Sequence, residues 1–167
     1  HMPLLWTHLI PATLEGKAAH NVQNAMFAAG MAYSMNVKLE DIRLGLRTFD
    51  SSFFQAPGRL NVFDELGFKV ILDYGHNPAA VSAMCDLVDA IADGGHFGRR
   101  IGVIAAPGDR RDVDIVEIAT RASKSFDVFF CKRDDRLRGR GESEVPNMLA
   151  TTLREQGIDD SAIHVIP

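Results

Sequence analysis

From residue 60 onward the chain alternates short apolar runs with longer segments of helical period, and this alternation restricts its fold more than any other feature. Residues 60–66 and 68–74 read as strands around a turn at Gly67. A helix is predicted over 79–91, a strand over 100–106, a helix over 113–124, a strand over 126–131, a helix over 144–155 and a strand over 163–166. Parallel strands cannot be joined by a tight turn and need a crossover of a dozen or so residues, which each helix supplies. The expected class is therefore α/β: a mostly parallel, doubly wound sheet with helices on both faces, opened by one hairpin.

A short helical segment precedes this pattern. Small and apolar residues fill 18–35, with Val22, Ala25, Met26, Ala29 and Tyr33 at helical spacing, and a second helix is predicted over 39–49 with Leu39, Ile42, Leu46 and Phe49 as its apolar face. Gln55-Ala56-Pro57-Gly58 interrupts the periodicity, so residues 1–56 read as one part and 57–167 as the main domain. The 167 residues are 46% hydrophobic, enough for a core, yet no run reaches the roughly 18 to 20 apolar residues of a membrane span. Without the order of a signal peptide at the N-terminus, the cytosol is the expected compartment. Cys85 falls in a predicted helix and Cys131 in a predicted strand, without metal-ligand spacing, so both are expected as free buried thiols and no metal is assigned to this chain. A net charge of −4 argues against a general nucleic-acid binder. His1-Met2 reads as a remnant of cloning, and the chain ends directly after its last strand, so a segment of a longer protein is expected.

Four groups of residues carry chemistry. Asp73-Tyr74-Gly75-His76-Asn77-Pro78 joins a strand end to a helix start, the place where open α/β sheets bind ligands and where free helix N–H groups meet anions. The alternative is a turn whose Asn77 caps a helix led by proline. Asn21 and Asn24, three apart near a helix start, share a face and could together meet the edge of a purine; alternatively Asn21 caps and Asn24 is solvated. In Pro57-Gly58-Arg59, glycine frees the backbone and arginine offers a planar fork suited to phosphate. Finally, the loops 105–112 and 132–141 both follow strands and precede helices, which puts Asp109, Arg110, Arg111, Arg133, Asp134 and Asp135 on the ligand edge of the expected sheet. Such arginines can hold carboxylates or phosphates in bidentate fashion, with the aspartates holding a cationic substrate or the arginines themselves.

Taken in order, N-x-x-N-A-x-x-A-A at residues 21–29, Gly58-Arg59 and D-Y-G-H-N-P at 73–78 resemble the Mur ligase family. The resemblance covers nearly the whole chain. It implies that residues 1–56 form the helical tail of a central ATP-binding domain and 57–167 a Rossmann-like C-terminal domain, the last part of which is cut short. The wording Pro107-Gly108-Asp109-Arg110-Arg111-Asp112 and Arg133-Asp134-Asp135 is most similar to those members that join arginine to the β-carboxylates of a poly-aspartate backbone through an acyl phosphate, which yields the polymer cyanophycin.

On that resemblance the expected partners are ATP, arginine, the poly-aspartate or cyanophycin chain, the remainder of the parent ligase, and a second copy in a homo-oligomer. Asn21 and Asn24 would contact adenine, Arg59 the phosphates and Asp73 the ribose, with His76 and Asn77 as catalytic residues on the phosphate and acceptor side. Asp109, Arg110, Arg111, Arg133, Asp134 and Asp135 would bind substrate, and Mg2+ would be held mainly by the central domain. The family's G-x-x-G-K-[ST] loop is absent, since Leu14-Glu15-Gly16-Lys17-Ala18 lacks both the first glycine and the hydroxyl, so this segment alone is not expected to hydrolyse ATP. Competing readings are a family member with a peptidoglycan or folate acceptor, a paralogue that joins β-aspartyl-arginine dipeptides, and a non-enzymatic module binding a polyanion through 132–141.

Overall fold

Helix α1 (Ala19–Ser34) ends where Asn36 turns left-handed at φ 63°, letting the Val37 N–H return to the Ala32 carbonyl at 3.1 Å. This is the Schellman arrangement, which satisfies a carbonyl that the helix leaves open. Helix α2 (Leu39–Thr48) places Glu40 and Asp41 in its first turn and Arg47 in its last, complementing the helix dipole at both ends. These elements belong to a computed structural model that describes residues 3–65, 67–93 and 98–167. The chain divides into two compact units, His1–Tyr74 and Gly75–Pro167.

The first unit also contains two 3-10 turns, Thr7–Leu9 and Pro11–Thr13, and an antiparallel hairpin of β1 (Asn61–Phe63) and β2 (Val70–Leu72) with Asn61 opposite Leu72. Both strands are shorter than the sequence implies. Leu60 is left-handed at φ 50°, which stops the ladder at its N-terminal side, and Gly67 takes φ 75° at the expected turn. Leu66, the end of the first expected strand, lies outside the described residues.

In the second unit α3 (Pro78–Ala92), β3 (Ile101–Ile104), α4 (Asp112–Ala122), β4 (Val128–Lys132), α5 (Glu144–Glu155) and β5 (Ile163–Ile166) follow one another. The sheet order is β3-β4-β5, all parallel, with Ile104 beside Cys131 and Phe129 beside Ile163. The fold is thus the expected α/β, Rossmann-like arrangement of parallel strands joined by helical crossovers, but the hairpin, expected to open this sheet, forms a two-stranded sheet of its own. Alternation along the strands points Ile104, Phe129, Cys131 and Ile163 to one side, where they pack with Ile115, Ile118 and Ala119 of α4 and Leu149 and Leu153 of α5. On the opposite side Ile101 and Val103 are 56% and 65% exposed, so α4 and α5 cover one face of this sheet among the described residues. Helix α3 packs beside α4, where Asp89 accepts from the Ser125 hydroxyl at 2.9 Å and pairs with Arg100.

The candidate nucleotide and substrate sites

In the first unit, α1 opens at Ala18, so Asn21 is within the first turn and does not cap the helix. Its Nδ2 donates to the Ala12 carbonyl at 2.7 Å, and its Oδ1 accepts from Asn24 Nδ2 at 3.1 Å. The two amides share a face as expected, with Asn21 half-buried as the anchor and Asn24 exposed.

The hairpin brings Arg59 and Asp73 to one end. Asp73 Oδ2 accepts the N–H of Leu60 at 2.9 Å, stabilising that left-handed residue, and the exposed Arg59 guanidinium lies 5.0 Å from the centroid of the Tyr74 ring. The linker itself is fixed by a residue that sequence reasoning missed. Asn61, only 1% exposed, donates through Nδ2 to the carbonyls of Ser51 at 2.7 Å and Ala56 at 2.9 Å, while its Oδ1 accepts from Gly58 N–H at 2.7 Å. Its one sequence signal is an amide at the head of an apolar run.

In the second unit Asn77 is the N-cap of α3: its Oδ1 accepts from Ala80 N–H at 2.9 Å and Pro78 occupies the first turn. The capping alternative therefore describes its carbonyl oxygen, whose lone pair is committed to the helix. Half-buried His76 immediately precedes it. Beside them an open groove of about 580 Å³ runs between α3 and α4, lined by Asn77, Pro78, Ser82, Asp86, Glu117 and Arg121.

The two arginine-rich loops meet. The Gly108 backbone passes so close to Leu137 that a Cβ there would lie 2.0 Å from the Leu137 carbonyl oxygen, which only glycine permits. Asp109 pairs with Arg138 at 2.8 Å, Arg111 with Asp114 through two bonds of 2.9 and 2.7 Å, and Arg133 with Glu142 at 3.3 Å. Asp135 stands 3.9 Å from Lys132. The bonds from Arg138 and Arg111 hold the carboxyls of Asp109 and Asp114 below the usual range. Among the described residues the Nε of Arg110 is buried with no hydrogen-bond partner. Arg140, also absent from the expected set, joins the loops: Nε donates to Gly108 O at 2.8 Å, Nη2 to Arg110 O at 2.8 Å and to Asp112 at 2.6 Å, and Nη1 to Glu144 at 2.8 Å.

Comparison with known proteins finds that residues 58–167 match the family model described as the Mur ligase, glutamate ligase domain. The chain belongs to the Mur ligase family. It is 41% identical over 159 residues to the cyanophycin synthetase of Trichormus variabilis, covering 92% of this chain and 17% of that protein. The cyanophycin synthetase of Synechocystis sp. is 37% identical over 148 residues, covering 89% of this chain and 16% of that one. A second branch of the Mur ligase family is represented by the UDP-N-acetylmuramoyl-L-alanyl-D-glutamate–2,6-diaminopimelate ligase of Corynebacterium efficiens, 34% identical over 148 residues, 87% of this chain and 25% of that protein. The resemblance read from the motifs at 21–29, 58–59 and 73–78 thus holds, and the chain spans 17% of the length of the first cyanophycin synthetase it matches.

Proposed function

We propose that this chain is the C-terminal part of a cytoplasmic ATP-dependent ligase that joins arginine, through its α-amino group, to the β-carboxylates of poly-aspartate. The observation that carries the reading is its 41% identity over 159 residues with a cyanophycin synthetase, which reaches across both units. Residues 1–56 are assigned to the tail of the ATP-binding domain and 57–167 to the C-terminal domain.

The residues fit a nucleotide. Arg59 is an exposed cation on a linker fixed by Asn61, and Asp73 keeps Oδ1 on a carboxylate whose Oδ2 already holds the backbone. Arg59 is assigned to the phosphates, Asp73 to the ribose, and Asn24, oriented by Asn21, to the base. ATP supplies the phosphoryl group that activates the acceptor carboxylate, with Mg2+ held by the remainder of the protein. Positive charge fixed in advance offsets the charge spread over a transferring phosphoryl group, which is Arg59's contribution. His76 is assigned the proton released when the amine attacks, and Asn77 fixes the start of α3 immediately after it. The loops carrying Asp109, Arg110, Arg111, Arg133, Asp134 and Asp135 are assigned to arginine and the acidic chain, whose guanidinium and carboxylate groups complement them.

The test is ADP release by the full-length ligase given ATP, Mg2+, arginine and a cyanophycin primer. Release that requires both arginine and primer, and that falls at least tenfold in Arg59→Ala and Asp73→Asn, supports the reading, that factor being the minimum for one lost charge-assisted contact. Release that is indifferent to arginine refutes it.

A further inference from the structure

Resting on that reading, we propose that Arg140 is a positioning residue that locks the two arginine-rich loops into one frame and thereby sets the fit of the amino-acid substrate. Four hydrogen bonds of 2.6 to 2.8 Å occupy all three of its nitrogens, and its side chain is 17% exposed. A guanidinium has only five N–H donors, so Arg140 has no second edge left with which to take a substrate carboxylate as a fork. Its work is internal.

What it grips decides the role. The carbonyls of Gly108 and Arg110 flank Asp109, so one planar group fixes the backbone that aims both Asp109 and Arg110. On its other side it pairs with Glu144, whose second oxygen accepts from Gly141 N–H at 3.0 Å and so secures the end of the 132–141 loop at the start of α5. Asp112 completes the neutralisation and holds the Arg140 guanidinium still more firmly in its charged form. Two further contacts, Gly108 against Leu137 and Asp109 with Arg138, cross between the same loops. The spacing between residues 109–110 and 133–136 therefore depends on Arg140. Lysine keeps the charge at this position, but its single nitrogen cannot span two carbonyls and two carboxylates at once.

The experiment compares full-length wild type with Arg140→Lys and with Asp112→Asn, a variant that strips the charge from one partner of the clamp while keeping an acceptor oxygen, at a 70% exposed side chain that leaves the core intact. Hydrogen exchange is followed over 105–111 and 132–142, and KM is measured separately for arginine and for ATP. In Arg140→Lys both loops are expected to exchange faster together. KM for arginine should rise roughly tenfold, the effect of one lost bond to a charged group, with KM for ATP unchanged. Asp112→Asn should shift the same quantities in the same direction by less. Exchange that rises in only one loop overturns the lock, and loops that loosen with an unchanged KM for arginine overturn the positioning role. A wild type without arginine-dependent turnover refutes the ligase reading, in which case the exchange arm still decides whether the lock exists.

Discussion

Asn61 offers the sharpest test of how the linker is built. Its Nδ2 bonds to Ser51 O and Ala56 O and its Oδ1 bond from Gly58 N–H are all 2.9 Å or shorter, and the side chain is 1% exposed, so water does not share these partners at Asn61's own position. A typical intramolecular hydrogen bond contributes about 1 kcal/mol net, so Asn61→Ala removes about 3 kcal/mol if the linker stays in place. The segment 53–55 is exposed, however, and a freed linker can turn its carbonyls to solvent, which lowers the expected loss to about 2 kcal/mol. Asn61→Asp separates geometry from chemistry: it keeps an acceptor for Gly58 but turns an anion toward two carbonyls. The folded-state pKa of that introduced carboxyl would be raised, so the variant should be most stable at acid pH and lose stability as pH rises through that value. The assays are urea unfolding of the 167-residue chain and amide exchange at Gly58. Asn61→Ala within about 0.5 kcal/mol of wild type, with Gly58 exchange unchanged, would refute this account of the linker.

Two further outcomes follow from the second unit. Asn77→Ala deletes the α3 cap and should cost about 1 kcal/mol with faster exchange at Ala80, whereas Asn77→Ser should recover most of it; equal stability of the two variants would remove the capping role. Burial pushes the Cys131 thiol up from 9.0 to about 11, and the residue is fully enclosed between sheet and helices. It should therefore resist iodoacetamide at pH 8 in the native chain and react on unfolding. Because the raised value belongs to the folded state, the unfolded chain binds fewer protons between pH 9 and about pH 11, and the stability this thiol contributes declines across that window.

The parts of the fold that were legible in the sequence are those set by local period. The expected helix over 144–155 and strand over 163–166 coincide with α5 and β5, and α1 differs from its expected span by one residue at each end. At the outer end of the hairpin the strands are shorter than expected because the stop at Leu60 is a backbone conformation stabilised by Asp73, thirteen residues away, which no propensity at Leu60 encodes. The cover of the sheet was equally hidden: Ile101 and Val103 are as apolar as Ile104, so the run does not reveal which face the helices take. Asn77 could be read as cap or as site residue, and the bond its Oδ1 accepts from Ala80 N–H, three residues on, establishes the first without excluding the second.

The arginine-rich loops show why site residues are harder to read than folds. Along the sequence, residues 132–141 present one run of charge in which every arginine is equivalent. In three dimensions the run is partitioned by partners roughly thirty residues upstream: Arg138 goes to Asp109, and Arg140 to Gly108, Arg110 and Asp112. Arg133 stays with Glu142 inside its own loop. Arg140 is enclosed and spends four of its five N–H donors on the frame of the loops, whereas among the described residues Arg110 keeps a buried Nε without a hydrogen-bond partner. The distinction rests on how many donors each side chain has already spent on partners distant in sequence, which charge, spacing and composition do not encode.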